Sequence, residues 1–256
     1  MERDIKRKVR EGYGKIVMQG GSCCGPSSSC CGSSSAKDIS KAVGYSDSEI
    51  NAVPEGANLG LGCGNPVAIA SLKEGQTVLD LGAGAGFDAF LAAKKVGKSG
   101  RVIGVDMTPE MIDRARENAS KGNYTNVEFR LGEIEKLPVE DDSIDVIISN
   151  CVINLSPDKE SVFKEAFRVL KTGGSLMVSD LVLTKALPEN LKQSVEAYVG
   201  CIAGAIERDA YLGFIARAGF RNVEVVSESG YPVDALFEGL ESAEEVVASI
   251  KVRAEK

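Results

Sequence analysis

The chain of 256 residues contains no histidine. That absence excludes a Ser-His-Asp hydrolase and a histidine-ligated catalytic zinc. Acid–base work would fall to carboxylates, lysine, tyrosine or cysteine, and a reaction that needs no general base becomes attractive. Long apolar runs are missing too. None approaches the length of a transmembrane helix, and the charged start from Met1 to Lys8 lacks the apolar centre of a signal peptide. A cytoplasmic location is the expectation. Positive charge is in short supply: 30 Lys and Arg stand against 37 Asp and Glu, a formal net charge of −7. This balance argues against a nucleic acid or an anionic membrane as partner.

What is present is a core-forming composition, 43% hydrophobic and 26% charged, suited to one large soluble domain or a domain with an extension. Cysteine is present as well, at 7 positions. Without a secretory signal these are expected to be reduced thiols, with metal or redox roles preferred over structural disulfides.

The stretch that organises the chain runs from Thr77 to Asp88. A short apolar run, Thr77 to Leu81, ends in alternate glycines at Gly82, Gly84 and Gly86, and an alanine-rich segment follows. This reads as a buried strand, a tight turn and the start of a helix. The spacing is Asp80-x-Gly82-x-Gly84-x-Gly86. The dinucleotide fingerprint would need glycine at Phe87, so phosphate binding is disfavoured. A carboxylate just before the glycines would repel a pyrophosphate and suits a neutral or cationic nucleoside cofactor. The competing reading is a purely structural strand–helix turn.

Around this turn, residues 2–17 place Ile5, Val9, Tyr13, Ile16 and Val17 at helical spacing among charges, which predicts a surface amphipathic helix. Residues 20–35 are rich in Gly, Ser and Cys and predict a flexible loop carrying Cys23, Cys24, Cys30 and Cys31. Their vicinal pairs do not match Cys-x-x-Cys zinc spacing. A soft-metal or redox role competes with a dispensable thiol-bearing tail. Short helices are expected between Ala36 and Ala52, with Asp47 capping the second. A Gly/Asn-rich loop from Pro54 to Pro66 holds Cys63 between glycines, either as an accessible thiol or as a merely small loop residue. Asn65 and Pro66 then open a short helix.

From Thr77 onward strands and helices alternate. Strands are expected at 77–81, 101–106, 127–131, 144–150 and 175–181. Helices are expected at 87–96, from Thr108 and Pro109 to about Ser120, at 157–170, from Pro188 to about Ala205 and at 208–218. Val223–Ser227 and Val246–Ala254 are late strands. The alternation predicts a parallel α/β sheet covered by helices on both faces, with a late strand antiparallel. Ligands in such sheets bind beyond the carboxyl ends of the strands. That rule gathers Asp80 with the glycines, and Asp106 as a grip for ribose hydroxyls. It adds Glu133 and Ile134 as brackets for a base, then Asn150 and Cys151. A helix cap remains open for Asp106, a turn role for Asn150, and a plain core role for Cys151 and Cys201.

The glycine motif, Gly104-Val-Asp106 and Leu170-Lys-x-Gly-Gly174 resemble the class I S-adenosylmethionine-dependent methyltransferases. Three longer segments are similar to those of arsenite methyltransferases: Asn58 to Pro66 around Cys63, Ser149 to Lys159 around Cys151, and Ala197 to Ala205 around Cys201. The resemblance covers nearly the whole chain. It implies a seven-stranded sheet of order 3-2-1-4-5-7-6 with the last strand antiparallel, and a methyltransferase domain over 54–256 behind a helical extension over 1–53. It implies that Cys63, Cys151 and Cys201 hold trivalent arsenic, that an N-terminal cysteine joins turnover, and that Met107 belongs to the cofactor set with Asp80, Gly82, Gly84, Gly86, Asp106, Glu133, Ile134 and Asn150. Three thiolates suit soft arsenic(III). The arsenic lone pair would attack the methyl group, and no base would be required.

An external thiol reductant of glutathione or thioredoxin type, arsenite or its thiol conjugates as substrate, and a monomer are further expectations. Detoxification or volatilisation of arsenic would follow. Two departures stand out: Leu59-Gly-Leu61-Gly replaces a tyrosine-rich stretch, and little chain remains after Ser227 for a separate C-terminal domain. A methyltransferase of a small metabolite and a non-catalytic thiol metal-binding module, with a four-cysteine zinc site at the N-terminal pairs, are the competing readings. A nicotinamide oxidoreductase stands further off.

Overall fold

The computed structural model describes residues 2–18, 36–185, 202, 204–230 and 246–256. Among them α1 spans Glu2–Met18, α2 Ala36–Ala42, α3 Asp47–Ile50 and α4 Pro66–Ile69. The alternating region follows as β1 (Thr77–Leu81), α5 (Phe87–Val96), β2 (Arg101–Asp106), α6 (Pro109–Lys121), β3 (Val127–Leu131) and β4 (Ile144–Asn150). A 3-10 turn at Ile153–Leu155 leads into α7 (Lys159–Val169), β5 (Leu170–Leu183), α8 (Arg208–Arg217), β6 (Arg221–Gly230) and β7 (Val247–Glu255).

The seven strands form one sheet in the order β3-β2-β1-β4-β5-β7-β6. β1 runs parallel to β2 and β4, β2 to β3, and β4 to β5. β7 is antiparallel to both β5 and β6. The expected order and the antiparallel late strand are both present. The central strands are apolar on both faces because helices cover both. Leu79, Leu81, Ile147 and Val178 pack with Phe163 and Tyr211 on one side. Val78, Val102, Val146 and Ile148 pack with Phe90 and Ile112 on the other. Successive side chains point to opposite faces, so Asp80 shares the α5 side with Val78. A third apolar cluster sits at the strand ends and contains Val9, Cys63, Cys151, Leu181 and Val247.

Several local expectations are corrected. Asp47 does not cap α3. Ser46 does, its Oγ accepting from the Glu49 N–H while Glu49 Oε2 accepts from the Ser46 N–H, a reciprocal pair. Thr108 precedes Pro109 as expected but makes no side-chain cap bond; Asp106 Oδ1 takes the Thr108 N–H instead, at 2.8 Å. α7 starts at Lys159 because Asp158 caps it, accepting from the Ser161 N–H at 3.0 Å. β5 is longer than expected at both ends: Leu170 pairs with Ile144 ahead of a bulge over Lys171 to Gly174, and Val182 and Leu183 continue the pairing with β7. Residues 20–35 and Cys201 lie outside the described residues, as does most of the helix expected from Pro188; Ile202, Gly204 and Ala205 are described and are not helical. Among the described residues no helix is long and apolar enough to cross a membrane.

α1 forms where its apolar spacing predicts, but it does more than cover surface. It packs against α6 and buries Val9, Ile16 and Val17. Lys6 reaches Glu133 at 2.8 Å and Glu135 at 3.0 Å, and Arg10 lies 3.6 Å from Glu133. This arrangement sets α1 across the carboxyl ends of the strands.

Candidate active site

A cleft opens at those carboxyl ends, with about 1060 Å³ of empty space counted out into the open solvent at its mouth. Its floor is the turn Gly82 to Ala85, and Asp106, Met107, Ile134 and Asn150 line its walls. Val9 and Tyr13 of α1 face it, together with Lys6, and Cys151 and Val152 close one end. Gly82 and Gly84 both take positive φ, 66° and 52°, so the chain turns sharply and its backbone approaches the cleft. The Gly84 N–H donates to Asp106 Oδ2 at 3.0 Å. Asp106 thereby joins the turn to the end of β2.

Not every expected residue lines this cleft. Asp80 stands behind the turn, 2% exposed, and its Oδ2 has no hydrogen-bond partner. Gly86 starts α5 at φ 98°, packed against Phe90 and Phe129. Glu133 turns outward to Lys6 and Arg10. Glu135, two residues on, faces the cleft and accepts from Ser156 Oγ at 2.5 Å. The loop doubles back through a Glu133–Lys136 bridge, and this moves the inward carboxylate from 133 to 135.

Asn150 is fully engaged by the protein. Its Oδ1 accepts from the Cys63 N–H at 2.9 Å. Its Nδ2 points at Gly64 O (2.8 Å), Tyr45 Oη (2.9 Å) and Asp88 Oδ2 (3.0 Å). Tyr45 Oη donates to Asp88 Oδ1 at 2.6 Å. The sequence reading missed Tyr45 and Asp88. The available signal was an aspartate opening an otherwise apolar helix, which reads as ordinary first-turn charge.

Three carboxylates therefore gather around the turn, Asp88 and Asp106 lining the cleft and Asp80 buried behind it. Burial, with Asp88 and Asp106 close by, holds the Asp80 carboxyl well above the usual range. Burial pushes Asp88 up to about 6, against the opposing hydrogen bonds from Tyr45 and Asn150. Asp106 is raised by burial and restrained by the N–H groups of Thr108 and Gly84. An orphaned, buried carboxylate oxygen in such company fits a cationic ligand. A cation favours the ionised form, so binding releases protons. A sulfonium nucleoside should therefore bind more weakly below pH ~6, as Asp88 takes up a proton. Calorimetry at pH 5.5 and 7.5, with the neutral thioether analogue as control, checks this; Asp88→Asn should flatten the pH dependence.

The cysteine arrangement is the decisive feature. Cys63 and Cys151, 88 residues apart in sequence, are joined as a disulfide with Cα atoms 5.6 Å apart. The 54–66 loop folds back over the end of β4 and lays one sulfur on the other. Both are buried in the apolar cluster, at 6% and 2% exposure, and Cys151 lines the cleft. Cys63 is held through its backbone by Asn150 and by Ser249 of β7, whose Oγ donates to Cys63 O at 2.9 Å. Cys201, Cys23, Cys24, Cys30 and Cys31 lie outside the described residues. Among the described residues no cluster of three metal-binding side chains forms.

A methyltransferase domain family matches residues 72–219. The crystal structure of an arsenic(III) S-adenosylmethionine methyltransferase from Chlamydomonas reinhardtii superposes with a TM-score of 0.68 at 34% identity, covering 85% of this chain and 73% of that one. The chain belongs to the arsenite methyltransferase family. An arsenite methyltransferase of Halobacterium salinarum is 48% identical over 229 residues, 87% of this chain and 59% of that protein. One from Aquipseudomonas alcaligenes is 42% identical over 174 residues, 65% of this chain and 50% of that protein. The chain thus spans only half to three-fifths of the length of these curated arsenite methyltransferases.

Proposed function

We propose that the chain methylates trivalent arsenic bound by its own thiolates, using S-adenosylmethionine as methyl donor. The observation that carries this reading is the meeting of Cys63 with Cys151, which lines the end of a cleft floored by Gly82 and Gly84 and walled by Asp106. Two thiolates so placed, once reduced, make a bidentate soft-ligand site; Cys201 is the third ligand in this proposal. The donor supplies an electrophilic methyl group on a positively charged sulfur. Asp80, Asp88 and Asp106 would favour that charge, and Tyr13, Val9 and Ile134 offer apolar surface for the nucleoside. The chain's task is to hold arsenic in line with the methyl group. The arsenic lone pair attacks the methyl carbon as the carbon–sulfur bond of the donor breaks and the neutral thioether leaves. The arsenic, raised to As(V), returns to As(III) as two of its thiolates depart joined as a disulfide. No side chain has to remove a proton, in keeping with a site that has no histidine. Because the thiolate is the ligand form, a thiol reductant that returns Cys63 and Cys151 to dithiol is part of the proposal. The accessory cysteines Cys23, Cys24, Cys30 and Cys31 are proposed to pass arsenite and disulfide bonds to this site.

The test mixes the reduced chain with arsenite and S-adenosylmethionine and measures methylated arsenic by chromatography with arsenic detection. Methylarsenic formed in proportion to enzyme is the expected result. Donor consumption without arsenite would replace this reading with a metabolite methyltransferase, and arsenite binding without donor binding would replace it with a sequestering module.

A further inference from the structure

Cys151 sits at φ 59°, the left-handed region. A non-glycine residue there is strained and persists only where its surroundings determine it. Three consecutive residues of β5 supply that restraint. The Cys151 N–H donates to Ser179 O at 2.8 Å. Asn154, fully buried in the 3-10 turn, donates from Nδ2 to Asp180 Oδ1 at 2.8 Å and to Leu181 O at 2.6 Å. Both partners are acceptors, so the amide can face them only with its NH₂ group. Asp180 is itself fixed: the Leu181 N–H donates to its Oδ1 at 2.9 Å, and Tyr211 Oη of α8 donates to its Oδ2 at 3.1 Å. Tyr211 is locked in the core, edge-on to Phe163. The chain from Cys151 to Leu155 is thus stitched to β5 through one side chain and one backbone bond. Neither Asn154 nor Asp180 lines the cleft.

From this geometry we infer that Asn154, seated on Asp180, is a positioning residue that fixes the Cys151 sulfur at the cleft. It acts through Cys151 and touches neither ligand. For arsenic capture the inference rests on the proposed thiolate site; for thiol geometry it stands alone. Loss of Asn154 lets the turn relax out of the left-handed conformation and carries the sulfur away from the position it shares with Cys63.

The experiment uses the reduced full chain and two readouts. Iodoacetamide labelling of Cys151 and Cys63 is followed peptide by peptide. Arsenite and S-adenosylmethionine affinities are measured separately. Asn154→Ala should raise Cys151 labelling several-fold relative to Cys63 and lower arsenite affinity roughly 10-fold, the lower end of the cost of losing an outer-shell partner, with donor affinity within about twofold. Asp180→Asn retains an acceptor for Asn154 and should behave as wild type, whereas Asp180→Leu should reproduce the alanine variant. Cys151 labelling at the wild-type rate, or equal acceleration at both cysteines, overturns the inference. If Asn154→Ala does not fold, Asn154→Leu, close in size and without a donor, serves in its place; a wild-type labelling rate there overturns it equally. If labelling shifts as expected but arsenite affinity moves in neither Asn154→Ala nor Cys151→Ser, the thiolate-site reading falls and the positioning role stands.

Discussion

Cys151→Ser is expected to lower arsenite affinity by more than about 100-fold, and Cys63→Ser to do the same. Loss of an outer-shell partner alone costs a metal site roughly 10–100-fold, and serine replaces a soft ligand with a hard hydroxyl that stays protonated at neutral pH. The substitution is nearly isosteric. Cys151 occupies an apolar cluster with Val9, Leu155 and Val247, and a hydroxyl there costs packing little. S-adenosylmethionine affinity should therefore stay within about twofold, since Asp106 and the glycine turn are untouched. Equilibrium dialysis of the phosphine-reduced chain with arsenite, with arsenic counted by mass spectrometry, reads the effect. Wild-type affinity in either variant would remove that cysteine from the site.

Gly82→Ala is expected to be the most damaging change in the floor of the cleft. At φ 66° an L-residue costs about 1–2 kcal/mol, and the new methyl would also overlap the branched side chain of Val152. Val152 follows Cys151 directly, so the displacement reaches both halves of the site. A loss of roughly 10–100-fold in donor affinity is expected, each tenfold corresponding to about 1.4 kcal/mol, together with a lowered unfolding midpoint of the ligand-free chain. Gly84→Ala is the informative contrast. Its φ of 52° carries similar strain, but its Cβ would meet nothing closer than Met111 Sδ at 3.8 Å. The free chain should then unfold closer to wild type while donor affinity still falls. Equal midpoints for the two variants, measured by circular dichroism, would show that the Val152 overlap has no consequence.

The fold was legible because its signals are local and repeated. β1 and β4 are short apolar runs bounded by turn residues, and α5 and α6 begin where the Gly86 and Pro109 chemistry says they should. The order of the strands came from the resemblance, and pairing such as β7 between β5 and β6 joins residues too far apart for periodicity to reveal. In the site, Asp106 was legible because it ends a strand that follows the glycine turn. Glu133 faces Lys6 and Arg10 while Glu135 faces the cleft, because a bridge in the following loop reverses which side chain turns inward. Thr108 has the composition of a cap, yet its side chain makes no cap bond, and Asp106 two residues earlier accepts the Thr108 backbone N–H. Asn150 was singled out as a contact for the cofactor. It lines the cleft, and its amide joins Cys63, Gly64, Tyr45 and Asp88, partners 62 to 105 residues away. Such a hub leaves no trace in local sequence, because each member reads singly as a turn, loop or core residue.

β7 gives the site a place in the order of synthesis. Ser249 on this strand holds the Cys63 carbonyl, and Val246 and Val247 close the apolar wall around both sulfurs. The strand slots between β5 and β6 rather than joining at an edge. During translation Cys63 and Cys151 emerge from the ribosome well before β7 exists. A nascent chain therefore carries both thiols without the wall and bracket that orient them. Pairing of β7 between β5 and β6 is therefore what closes the wall and bracket around the two sulfurs, after every other strand of the sheet has been synthesised.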